Sequence, residues 1–182
     1  MSELTITNAG TTVTQDRPGM GSNNNRLNEM KTKVFSVTPT TTTAACATDD
    51  VIFQAKGLVD FMSEKGGTAI IQSITILDDD NEGATMDIVF MDTDGALDAT
   101  GAAGTPIDAA DGAVPEAILG FVTVSNYFDG VAWKVAQKDN IGLAIKSADT
   151  TRNIWISAVN RGSAVTYTAD DDLKLKIGYI QD

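Results

Sequence analysis

Between Gly67 and Asp92 the chain alternates twice, on either side of a polar cluster. Ile70, Ile74 and Ile76 are set against Ile71, Ser73, Thr75 and Leu77. After Asp78-Asp79-Asp80-Asn81-Glu82-Gly83, Met86, Ile88 and Phe90 are set against Asp87, Val89 and Met91. A period of two places successive side chains on opposite faces of an extended backbone, so each run suits a half-buried strand. Two such runs across a turn-forming cluster predict a β-hairpin. This pair is the expected centre of the fold.

Other short runs repeat the pattern. Val34-Phe35-Ser36-Val37 opens the series, and Pro39 with Thr40–Thr43 reads as an extended link. Val51, Phe53 and Ala55 alternate with Ile52 and Gln54, and Gly57 marks a bend or bulge before Leu58–Met62. From Asp92 to Gly112 the composition turns to Ala, Gly, Asp and Thr, as in a long surface loop. Val114–Leu119 suits one helical turn, with Pro115 near its start. Phe121–Val124 leads to a turn at Asp129-Gly130, after which Val131, Trp133 and Val135 share a face opposite Lys134; that pattern assigns Trp133 to the core. Asp139-Asn140 reads as a turn into Ile141, Leu143 and Ile145. Trp155 lies opposite Ile154 and Ile156, either exposed or against a second layer, and Asn160–Ser163 turns into Val165 and Tyr167. Last, Leu173, Leu175, Ile177 and Tyr179 face inward against Lys174 and Lys176. About nine to eleven short strands with regularly spaced turns predict an all-β body, a β-sandwich or jelly roll, over residues 32–182.

Residues 1–31 carry no sustained apolar period and are rich in Thr, Asn and Gly. Composition alone favours a polar tail over an arm that orders on a partner. The two regions differ in charge. Glu3, Asp16 and Glu29 balance Arg17, Arg26 and Lys31, so the net charge of −12 falls entirely on the body. An acidic body repels nucleic acid and anionic membrane surfaces, and neither is expected as a partner. No run approaches the roughly 18 to 20 apolar residues of a spanning helix. The N-terminus shows neither a basic start nor an apolar stretch, so no signal peptide is expected.

Chemistry is sparse. Histidine is absent, which excludes Ser-His-Asp and Cys-His catalysis and removes the commonest transition-metal ligand. Cys46 is the single cysteine and reads as a small half-buried hydrophobe. Asp78, Asp80, Glu82 and Gly83 imitate the start of a calcium loop, but Val89 stands where the bidentate Glu belongs, and strand character follows. An acidic turn is the better reading. The 25 acids make accidental carboxylate pairs common, and no spacing selects one for hydrolysis. No phosphate-binding glycine loop is present. The chain is expected not to be an enzyme.

Four segments, Gly66–Asp78, Met86–Asp92, Ala117–Val124 and Tyr167–Asp182, resemble in pattern and order the virion structural proteins of tailed phages. They are most like the small head decoration, or cement, proteins, and the likeness covers roughly residues 50–182. It implies a jelly-roll-like body on the outside of a phage head, made in the host cytoplasm, binding the major capsid protein as a dimer or trimer. No catalytic, cofactor-binding or metal residue comes with it. It also raises the reading of residues 1–31 as an extended N-terminal arm lying along neighbouring subunits. Arg17 and Arg26 on that arm, with Tyr127 and Phe128 at a turn, are the expected partner contacts. Two rivals stay open: a carbohydrate-binding or adhesion β module, and another virion component of tail, neck or shell.

Overall fold

The computed structural model describes residues 4–8, 11–15, 31–94, 104, 106 and 114–181. β1 (Leu4–Asn8) and β2 (Thr11–Gln15) pair antiparallel as a small sheet of their own. There follow β3 (Lys31–Val37), β4 (Val51–Leu58), β5 (Thr68–Asp78), β6 (Met86–Met91) and one helical turn, α1 (Val114–Ala117). The chain continues through β7 (Ile118–Val124), β8 (Tyr127–Asp129), β9 (Lys134–Lys146), β10 (Ile154–Asn160) and β11 (Leu173–Gln181).

Nine of these strands form two antiparallel sheets, ordered β4-β10-β6-β7 and β3-β11-β5-β9-β8. Both sheets feed one apolar core: Phe53, Met86, Ile88, Phe90 and Ile156 from the first meet Ile71, Ile74, Ile76, Leu175 and Ile177 from the second. The body is therefore an all-β sandwich. With the short β8 set aside, the eight remaining strands numbered in chain order read 2-7-4-5 in one sheet and 1-8-3-6 in the other. Each sheet interleaves early strands with late ones, which is the doubled Greek key of a jelly roll.

The predicted hairpin is not formed. β5 and β6 are both strands, yet they lie in different sheets, and 79–85 crosses between them. β5 has no free edge for β6, because β11 occupies one side and β9 the other. β6 sits between β10 and β7 and is buried at all six residues. Its inward Met86, Ile88 and Phe90 enter the core, while Val89 and Met91 join a second apolar cluster with Val159, Ala55 and Trp155. Trp155 is thus half-buried among side chains of its own sheet, with no second layer in that cluster among the described residues.

Two bulges account for further departures. On β5 the buried apolar residues are Ala69, Ile71, Ile74 and Ile76, so the phase flips at Gln72 and Ile70 leaves the core. Opposite that point β9 runs past Asn140 and Gly142, both at positive φ (55° and 68°), while the pairing jumps from Ser73↔Asp139 to Ile71↔Leu143. The expected turn at Asp139-Asn140 is therefore a bulge within one strand of 13 residues. The final strand follows its sequence pattern: Leu173, Leu175, Ile177 and Tyr179 are buried, and Lys174 and Lys176 are exposed.

Candidate partner interface

β8 and β9 make a tight hairpin: Phe128 pairs with Val135 and Asp129 with Lys134. The Gly130 N–H donates to the Trp133 carbonyl at 2.8 Å and closes the loop. A Cβ on Gly130 would stand 2.6 Å from the Trp133 ring, so the indole folds over a position open only to glycine. Strand pairing starts at Lys134, not Val131. Val131 and Trp133 therefore belong to the loop, at 100% and 44% exposure, and Ala136 is the buried residue. This overturns the core assignment of Trp133.

Period-two alternation along β8 separates the two aromatic candidates. Tyr127 turns inward, half-buried against the core, and its hydroxyl donates to the Ala84 carbonyl at 2.8 Å. Burial pushes that hydroxyl well above the usual tyrosine range, with the Asp78 charge adding to it. Phe128 turns outward, is 70% exposed, and lies against Trp133 with ring centroids 6.0 Å apart at 32°. Register extends the surface inward along one row: Phe128, Val135 and Leu77 are successive cross-strand neighbours, ending at Lys174. Leu77 and Val135 are half-buried. Beside them, Ser36, Thr38, Lys174 and Lys176 border a shallow depression of about 340 Å³. An apolar strip with two aromatics at its tip and lysines at its far end suits a protein surface better than a small substrate. Arg17 and Arg26 lie outside the described residues. Sequence reasoning put Phe128 at an exposed turn but Trp133 in the core, because Val131 and Trp133 continue the strand period through the loop.

Polar groups inside the fold serve the connections. Asp78 is fully buried at the end of β5, and its carboxylate accepts the amides of Gly83 (2.6 Å) and Asp80 (3.1 Å). Asp80 in turn accepts the amide and hydroxyl of Thr168. These acids hold the sheet-to-sheet crossing in shape. Tyr167 lies buried beneath it, its hydroxyl pushed upward by burial and by Asp78. Cys46 is sealed, with burial and then Asp50 pushing its thiol up to about 11, so it is protonated and shielded from solvent reagents in the folded chain. Close by, Arg161 donates to Asp87 (2.7 Å) and pairs with Asp49, and Asp87 also accepts the Thr123 hydroxyl.

Asp78 has a measurable consequence. Burial raises its carboxyl above the ordinary 3.8, against the lowering by the amides of Gly83, Asp80 and Glu82. A carboxyl raised on folding contributes stability that is fully present below its unfolded value and lost as pH rises through the folded one. The stability of the wild type minus that of Asp78→Asn is therefore expected to fall as pH rises from 3.8. Urea unfolding across the acid range reads this directly, and a difference that grows with pH contradicts it.

No protein-family model and no curated protein matches the chain. Among solved structures it is similar to a chain of tomato aspermy virus, determined by X-ray crystallography. Identity is 10%, coverage 91% of this chain and 84% of that one, and the TM-score 0.37. A likeness that loose carries no weight for the function.

Proposed function

We propose that this chain is a structural protein of a tailed-phage head, a decoration protein that binds the outside of the shell and stabilises the capsid lattice. The observation that carries the reading is the strand order, 2-7-4-5 over 1-8-3-6, an architecture used by viral capsid proteins, lectins and cupins. A cupin metal centre built on histidines is excluded by the absence of histidine. Fold alone does not assign function, so the surface must discriminate. The Phe128–Trp133 tip and its apolar row offer contact area without an enclosed pocket, as docking on a lattice requires. Repetition over many shell sites makes modest contacts collectively strong. The partner is the major capsid protein, with residues 1–31 as an arm beside it.

The test is cryo-electron microscopy of phage particles with and without the gene, joined to binding of purified protein to empty heads. Regular density on the shell and lowered head stability after deletion are expected. Phe128→Asp with Trp133→Ser is expected to weaken head binding at least about tenfold, since centrally placed aromatics dominate interfaces. Unchanged particles after deletion would refute the reading. The exposed Phe128–Trp133 pair also favours a second reading, a carbohydrate-binding module that stacks sugar rings. A glycan array distinguishes them: saturable sugar binding lost in the same double variant, with no head binding, selects the second.

A further inference from the structure

The two sheets end in four edge strands, and among the described residues three are guarded. β4 is covered by the Thr42 amide on Ile52 and the Gly104 amide on Val51, with bridges Thr41↔Phe53 and Asp50↔Pro106. β3 carries the exposed Lys33. β8 is three residues long and ends in Asp129, and beyond it β9 is broken by the Asn140–Gly142 bulge and carries Lys138, Asp139 and Lys146. Short length, lysines, bulges and covering segments are the devices that stop a free edge from recruiting another strand. β7 differs. It has seven residues, no proline and no charge, and it pairs with β6 alone among the described residues. Its irregularity spans Leu119 and Gly120, the latter at φ 154° with the Leu143 side chain of β9 beside it; from Gly120 to Val124 it pairs one to one with Phe90 to Met86. On its outward face Phe121 is 62% exposed and Thr123 is exposed.

We propose that Gly120–Val124 is a self-pairing edge. Two copies of the chain join β7 to β7 antiparallel about a two-fold axis at Val122, fusing their four-stranded sheets into one of eight strands. The occupant is a second copy on grounds of charge. With a net charge of −12, two chains repel over most of their surfaces, but no formal charge falls between Ala117 and Phe128. A neutral strand is also its own complement, so the interface is isologous and closes at two. In this register Phe121 of each copy lies beside Thr123 of the other, an aromatic–β-branched pair of the kind that stabilises adjacent strands. The surface is distinct from the Phe128–Trp133 tip proposed for the head, so either assignment can fail alone.

Sedimentation velocity of the full chain over a micromolar concentration series tests it. The wild type is expected to dimerise reversibly, and Phe121→Lys to weaken the dimer about tenfold or more while keeping the far-UV spectrum. Phe128→Asp with Trp133→Ser is expected to leave the dimer intact. Hydrogen exchange gives a readout free of mutation: within Gly120–Val124, the amides not bonded to β6 must exchange faster on dilution. A monomer at all concentrations, a trimer, an undisturbed Phe121→Lys dimer, a dimer dissolved by Phe128→Asp with Trp133→Ser, or concentration-independent exchange each overturns the proposal.

Discussion

Phe90→Ala is expected to lower the free energy of unfolding by about 3–5 kcal/mol, the cost of deleting a fully buried aromatic ring and leaving a cavity. Phe90 is wholly buried next to the end of β6, between Ile156 of β10 and Gly120 of β7. Its ring belongs to the cluster shared by both sheets, so truncation loosens the contact between layers as well as the strand. Urea unfolding gives the value. Phe128→Ala is the internal control, because an exposed ring at the hairpin tip is expected to change stability by only about 0.5 kcal/mol. A similar loss for both would mean that the sandwich core lies elsewhere.

Asn160→Ala is expected to cost about 2–3 kcal/mol through hydrogen bonds rather than packing. Asn160 is fully buried at the end of β10, and its amide nitrogen donates to the carbonyls of Cys46 (3.1 Å), Ala47 (3.1 Å) and Ser163 (2.9 Å). Its side-chain oxygen accepts the Gly162 amide at 3.0 Å. The loss stays below that of the ring deletion because two of the carbonyls keep a second donor: Val165 on Cys46 and Asp50 on Ala47. Asn160→Asp is expected to be at least as damaging, since it sets a carboxylate oxygen against those carbonyls. Thiol labelling supplies a local readout. Cys46 is shielded in the native chain, and loosening of 46–50 should raise its labelling rate before global unfolding.

Asn160 and Trp133 show what alternation in a sequence leaves out. Alternation found the strands of the two large sheets apart from the short β8, since a half-buried strand must repeat its apolar residues every second position, but it did not find β1 and β2. It found β11 residue by residue. It misplaced Trp133 because the period does not say where pairing begins, and three loop residues after Gly130 happened to continue it. It gave no sign of Asn160, whose value comes from carbonyls more than a hundred positions away at Cys46 and Ala47.

Residue order thus determined on its own that the body is built of strands, which face of most strands is apolar, that histidine chemistry is absent, and that the acidic excess spares residues 1–31. Tertiary structure alone decided which strands are neighbours. Pairing uses backbone groups common to all residues, so β5 and β6 carried hairpin signals for each other, yet β5 took β9 and β11 as partners and β6 took β7 and β10. Only there did it become visible that Phe128 and Trp133 meet at one exposed tip, and that β7 ends its sheet with a neutral edge. Those two surfaces arise from long-range closure of the sandwich, and no local period encodes them.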